Sequence, residues 1–334
     1  MRTPLLRYSR AAIHKNIAKV TAAVNRAISA NRRIRWAPQL SGRVPAEVLA
    51  IVRNSTTAAS CRTVQEALRL AAAGFQSLVI TRPVCDPEEL SCIPELAQSQ
   101  EVIVTIDHFR HAELLSYMAV AGHVNVKTLI DVELGQRLTG VRPGTDAVRL
   151  SSAVSELPGV QLHGVLVDKL LCPANLRARE PVVSFNDAMA IARHCQRTIE
   201  SAGMECCEIA AGQSGFQSGA ELLQPSILLT GPFAMDTSPA VLRLPEAAAI
   251  HLVCRVISRP SLELCVINAG AALINSAAGC RVIHPAGAQL LHTHCDVSAL
   301  ELSNDALDLC IGDEVLIQQQ EVPHCLDLPF IIAE

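Results

Sequence analysis

The chain has 334 residues, 50% of them hydrophobic and 18% charged, with a formal net charge of −4. That length and apolar content suffice for a large core, and the mild acidity gives no electrostatic reason for a nucleic-acid or anionic-membrane partner. No apolar run reaches membrane-spanning length, Met1-Arg2-Thr3-Pro4 lacks the character of a signal peptide, and 13 scattered cysteines without a CxxC pair point to buried reduced thiols in a cytoplasmic protein.

Taken in order, the chain alternates between helix and strand patterns. Ser9 to Ala30 carries Ile13, Ile17, Val20, Val24 and Ile28 at helical spacing, with Ser9 as N-cap. Arg33 to Ala37 reads as the opening inner strand, stopped by Pro38, and it delivers Gln39 to the mouth of a cleft. Helices follow at 45–53, 63–73, 87–97, 109–121, 146–156 and 186–202. Strands interleave at 56–59, 77–81, 101–106, 124–133, 160–167, 205–210 and 226–230. Eight largely apolar strands, mostly followed by helices, predict an α/β fold, a (β/α)8 TIM-type barrel over residues 9–246. From residue 247 the helices stop: 251–258, 262–268, 281–284, 289–302 and 314–319 read as strands of a C-terminal all-β domain, 247–334, to which residues 1–8 add a strand.

Such barrels place chemistry at the C-terminal ends of their strands. The candidates there are Gln39, Ser60, Arg82, Asp107, His108, Glu133, Asp168, Lys169, Gln213 and Ser214. Ala210-Ala211-Gly212-Gln213-Ser214-Gly215 follows a strand as a phosphate-cradling loop does, and it reads equally as a tight turn that needs glycine. Arg82 reads either as a grip for a carboxylate or phosphate or as a structural ion-pair partner, and His108 beside Asp107 either as an acid/base group or as a helix cap. In the β domain, His292-Thr293-His294-Cys295-Asp296 alternates on a strand face as metal ligands would, and it reads also as a solvated surface.

In this order the pieces resemble the pyridoxal-phosphate enzymes of fold type III, the alanine racemase-like barrels, and among them the D-threonine aldolase and D-serine dehydratase branch. The resemblance runs through Thr63-Val64-Gln65-Glu66-Ala67, Asp131-Val132-Glu133-Leu134-Gly135-Gln136, Gly140-Val141-Arg142-Pro143-Gly144, Gly212-Gln213-Ser214-Gly215, Gly231-Pro232-Phe233 and His294-Cys295-Asp296. It implies a barrel, a C-terminal β domain, a homodimer and, at His294 and Asp296, a divalent metal. It also implies pyridoxal phosphate on a lysine at the end of the first strand, where this chain has Gln39, and an arginine where it has Leu138. The family's tyrosine near Asp168-Lys169 is replaced as well.

Of the four lysines, only Lys169 stands at the C-terminal end of a predicted strand. Two readings follow. In one, the protein forms no aldimine and is not a conventional enzyme: Gly212, Ser214, Gly215 and Arg82 bind an anionic or amino-acid-like molecule, pyridoxal phosphate included, non-covalently, or the chain serves as a non-catalytic subunit of an active relative. In the other, it is an amino-acid racemase, aldolase or dehydratase with Lys169 as relocated lysine and Asp168 and His108 as helpers.

Overall fold

A computed structural model describes residues 3–29, 33–40, 44–135, 139–167, 185–211, 226–232, 250–274, 280–319 and 328–333. They divide into two compact units: one holds the described residues of 1–17 and 233–334, the other those of 18–232, apart from 173–178.

The chain enters through β1 (Leu5–Ser9) and α1 (Arg10–Ser29), where Ser9 Oγ accepts from Ala12 N–H at 3.3 Å as the expected cap. The barrel follows as β2 (Arg33–Gln39), α2 (Ala46–Arg53), β3 (Ala58–Cys61), α3 (Val64–Ala72), β4 (Ser77–Ile80), α4 (Pro87–Ser99), β5 (Glu101–Ile106) and α5 (Phe109–Ala121). It continues as β6 (Val126–Asp131), α6 (Thr145–Ser155), β7 (Val160–Val167), α7 (Phe185–Ser201), β8 (Glu208–Ala211) and β9 (Ser226–Pro232). All eight strands are parallel, and β9 closes the barrel by pairing with β2 from Arg33↔Ser226 to Gln39↔Pro232. The expected TIM-type barrel is therefore present.

Local sequence sets the helix starts. Thr63 and Glu66 form a reciprocal capping box on α3, and Asp86 caps α4 with Pro87 at its first position. β3 begins two residues later than its pattern suggested. Thr56 Oγ1 donates to the Trp36 carbonyl at 2.7 Å and accepts from Ala58 N–H at 3.1 Å, so a side-chain-closed turn occupies the start of the apolar run.

Strand alternation sorts the barrel interior into layers. The central inward-facing residues are Ala37, Ala58, Val79, Ile103, Leu129, Leu166 and Ala210, all buried. Two residues earlier on five of the strands the same face carries Arg35, Ser77, Glu101, Lys127 and Glu208; two residues later it carries Gln39, Ser60, Thr81, Thr105 and Asp131. An apolar belt thus separates a charged layer at the N-terminal end of the strands from a polar layer at the C-terminal end.

The other unit is an eight-stranded sheet ordered β12 (Cys280–His284), β15 (Glu314–Gln319), β10 (Ile250–Ser261), β11 (Leu264–Ile267), β14 (Ser298–Leu302) and β13 (Ala288–Thr293). β1 pairs antiparallel with β10, as expected of the chain's start, and parallel with β16 (Phe330–Ala333). The run 289–302, expected as one strand, is a hairpin of β13 and β14 in register from Ala288↔Leu302 to Thr293↔Ser298. The described cysteines are unpaired; Cys206 and Cys254 are buried, and burial pushes both thiols up to about 12, whereas Cys85, Cys207, Cys295 and Cys310 are exposed.

Candidate functional site

The C-terminal end of the barrel gathers several of the expected residues. Gln39 ends β2, half-buried, opposite Ser60 on β3 and Pro232 on β9. Ser60 is fully buried and donates to the Ala37 carbonyl at 2.8 Å, and Thr81 donates to the Cys61 carbonyl at 3.1 Å. Both hydroxyls have spent their protons on backbone and keep oxygen lone pairs for other partners. Arg82 follows Thr81 on the surface and carries no ion pair among the described residues, which leaves its guanidinium available at the rim.

Asp107, just past β5, organises the loop after β6. Its Oδ2 accepts from Gly140 N–H at 3.0 Å, and its Oδ1 lies 3.0 Å from His111 Nδ1, a contact of distance rather than of hydrogen-bond alignment. The loop returns on itself: Glu133 N–H donates to the Val141 carbonyl and Val141 N–H to the Asp131 carbonyl, both at 2.9 Å. Gly140 is required here. Its φ is +107°, and a Cβ would stand 2.7 Å from Glu133 N.

His108 is exposed and its Nδ1 accepts from Arg110 N–H at 3.1 Å, capping α5, which is the structural one of its two readings. Asp168, Lys169, Gly212, Gln213, Ser214, Gly215 and Leu138 lie outside the described residues.

Thr105, Asp131, His111 and Gly140 were not among the expected cleft residues, although Asp131 and Gly140 open two of the segments that carry the resemblance. A signal was present for two of them, since Thr105 and Asp131 stand two residues beyond Ile103 and Leu129 on an inward face. Asp107 and Gly140 meet across 33 residues, a pairing no local pattern announces.

At the opposite end the charged layer is mutually paired. Arg35 grips Glu208 with Nε at 3.0 Å and a terminal nitrogen at 2.7 Å, and reaches Glu101 at 2.8 Å with the other. Glu101 also takes Lys127 Nζ at 2.5 Å and Ser77 Oγ at 2.6 Å, and Glu208 meets His163 Nε2 at 3.2 Å. Burial alone would raise both carboxyls, but the hydrogen bonds and positive charges around them win, holding Glu208 below its ordinary range and Glu101 down at about 2. Arg35, Trp36, Thr56, Thr57, Gln76 and Glu101 border an open depression of about 560 Å³ there. Its charged members already satisfy one another, so this end reads as a plug.

In the β unit, His294 and Asp296 are exposed in the turn between β13 and β14 rather than on one strand face, so the alternation argument for a metal does not apply to them. The turn is held by backbone. His294 N–H donates to the Val297 carbonyl at 2.8 Å, and the His294 carbonyl accepts from Ala271 N–H at 2.7 Å. A Cβ on Gly270 would stand 2.4 Å from that carbonyl, so only glycine lets the two segments approach. Among the described residues no group of three or more His, Cys, Asp or Glu side chains converges, and no helix is long and apolar enough to cross a membrane.

Residues 41–216, more than half of the chain, match the family described as alanine racemase, N-terminal domain. A D-threonine aldolase of Arthrobacter sp is 26% identical over 155 residues, a stretch covering 46% of this chain and 41% of that relative. The chain therefore spans less than half the length of that curated relative. Among solved structures, a D-threonine aldolase from Filomicrobium marinum superposes with a TM-score of 0.79 at 20% identity, covering 97% of this chain and 88% of that one. An alanine racemase-like protein from Idiomarina loihiensis superposes with a TM-score of 0.77 at 14% identity, covering 100% and 94%.

Proposed function

The chain belongs to the alanine racemase N-terminal domain family, within the fold type III pyridoxal-phosphate superfamily, and from that premise we propose that it is a divergent member whose cleft binds an anionic or amino-acid-like small molecule without a covalent cofactor linkage. The observation that carries this reading is Gln39 at the C-terminal end of β2, where the resemblance places a lysine. A carboxamide cannot form an imine with an aldehyde. The other described lysines stand elsewhere: Lys15 and Lys19 in α1, and Lys127 in the charged plug. The described residues thus do not fit covalently held pyridoxal phosphate, and no catalytic step is assigned through it.

Arg82 at the rim supports the anion side of the reading, as a charge-assisted donor for a phosphate or carboxylate. Among the described residues no further donors join His294 and Asp296, so no step is assigned to a metal either. A homodimer is the assembly we propose, as the resemblance implies.

The test is the purified protein. It should show no visible band that borohydride reduction fixes onto a lysine, and Gln39→Lys alone should leave racemase, aldolase and dehydratase activities at background. Covalent trapping on Lys169 would overturn the reading in favour of a relocated cofactor lysine, and substantial activity in Gln39→Lys would overturn it in favour of an otherwise intact enzyme.

A further inference from the structure

The sheet of the β unit ends on three strands, β12, β13 and β16, each paired on one side only among the described residues. Such an edge offers unpaired N–H and C=O groups to any extended chain, and folded proteins blunt it with charge, proline or a bulge. Two of the three are blunted. β12 carries Arg281 and His284 and breaks register between Val282 and His284, and β13 carries His292 and breaks register between Leu290 and His292. β16 has none of these devices: Phe330-Ile331-Ile332-Ala333 is uncharged, apolar and regular against β1 from Leu6↔Phe330 to Ser9↔Ala333.

Register fixes which backbone groups face outward. Leu6 N–H donates to the Pro329 carbonyl at 2.9 Å, so in this parallel pair the bonding groups of Pro329, Ile331 and Ala333 turn toward β1. The N–H and C=O of Phe330 and Ile332 therefore point away from β1, with no partner among the described residues. Phe330 and Ile332 also share the face of Leu6 and Tyr8. Leu6 and Tyr8 are 8% and 3% exposed, whereas Phe330, which meets the Tyr8 ring edge-on at 6.3 Å, is 49% exposed. The apolar face that is covered at β1 thus runs out uncovered at β16, and one more strand alongside would cover it.

Two outward residues spaced two apart are self-complementary. With two copies of β16 antiparallel about a two-fold axis at Ile331, Phe330 of one copy stands opposite Ile332 of the other, and each of these two pairs exchanges both N–H···O=C bonds. Every outward N–H and C=O is then used, and the apolar cross-strand pairs cover Phe330.

We propose that the β16 edge is a self-association surface that joins the β units of two copies into one continuous sheet. The inference names the surface of the homodimer proposed above and rests on that reading only for a stoichiometry of two.

Light scattering over a concentration series tests it. The parent should reach twice the mass of one 35.7 kDa chain. Ile332→Pro removes an outward N–H and leaves the bonds to β1 intact, as edge strands tolerate where the N–H faces away from the sheet. It should keep the mass of one chain at concentrations where the parent is fully dimeric. Phe330→Lys, which charges the exposed edge, should do the same and keeps the test available if the proline variant folds poorly. Ile331→Cys checks the register, because it would face its own copy across the axis at a Cα separation of about 4.5 Å, within reach of a disulfide. Mild oxidation should then give at least threefold more covalent dimer than in the parent, and Phe330→Cys should give no such gain. A dimeric parent whose mass both edge variants leave unchanged overturns the edge and leaves the proposed homodimer standing. No gain in covalent dimer from Ile331→Cys overturns the two-fold pairing. A parent that is monomeric at every concentration overturns the edge and the homodimer together.

Discussion

The two ends of the barrel are built on opposite rules. At the N-terminal end the described charged side chains of the inward layer are paired: Arg35 and Lys127 are tied to Glu101, Arg35 also to Glu208, and Glu208 to His163, with Ser77 completing the shell of Glu101. At the C-terminal end the inward layer is mostly neutral and contains an unpaired hydroxyl at Thr105, an amide at Gln39 and a rim arginine with no ion pair among the described residues. One end has its electrostatics closed, whereas at the other Thr105 Oγ1 and Arg82 have no partner among the described residues. That asymmetry is what a barrel needs if stability is concentrated away from the face that meets a ligand.

The sharpest way to break the comparison is to open the closed end. Glu208 is buried, with 4% of its side chain exposed, and it neutralises Arg35 and His163 together. Glu208→Ala should destabilise the protein by about 2–3 kcal/mol, less than the roughly 3–5 kcal/mol of a fully buried broken pair because Arg35 remains partly in water. Denaturant unfolding measures this. A change below about 0.5 kcal/mol would mean that the plug is ornamental and that the two ends do not differ in kind.

Acid titration sharpens the same contrast with a smaller effect. The folded-state pKa of Glu101, about 2, lies below its ordinary 4.5. A depressed carboxylate contributes stability that is fully present above the unfolded value and is lost as pH falls through the folded one. The loss should therefore run from about pH 4.5 down to about 2 and amount to the order of 2 kcal/mol, reduced from the full shift because Glu101 is 29% exposed. Arg35 stays charged throughout, its pKa raised because the two carboxylates outweigh the opposing effect of burial. Glu101→Gln should lower stability at neutral pH and flatten the acid limb. An equally steep limb in that variant would place the acid-sensitive group elsewhere.

Much of this architecture was readable in the chain, and what was not has a common physical origin. β5, β7 and α5 fall within the bounds that apolar periodicity set, because their signals are local and continuous. Lys127 stands near the start of β6, in keeping with the expectation that it is not at a strand's C-terminal end. The plug itself was not visible, since Arg35 meets Glu101 and Glu208 across 66 and 173 residues. The β13–β14 turn was missed because His294-Cys295-Asp296-Val297 contains neither glycine nor proline, the residues that usually punctuate a hairpin. β16 escaped for a related reason: Phe330–Ala333 is short and finds its partner, β1, at the other end of the chain. At the candidate site Gln39 was legible from the first strand alone, whereas Thr105 becomes meaningful only once register shows which polar residues share its layer.

The smallest effect separates stability from organisation at the open end. Asp107 fastens the loop between β6 and α6 by accepting from Gly140 N–H, and its charge also faces His111. Asparagine keeps the shape and one acceptor oxygen but removes the charge, and its amide nitrogen cannot accept if it faces Gly140. Asp107→Asn should therefore cost about 1 kcal/mol in global stability, the usual difference for one partly buried charge-assisted hydrogen bond. Its larger consequence should be local. Amide exchange at Gly140 and Val141 should speed up severalfold while amides in the central strands change only by the small global loss, because the loop can open without unfolding the barrel. A global loss as large as that of Glu208→Ala, with exchange accelerating uniformly, would show that the C-terminal end carries the fold as much as the plug does. The division between the two ends would then fail. Accelerated exchange confined to 133–141 would instead establish Asp107 as a positioning residue for the loop beside the cleft.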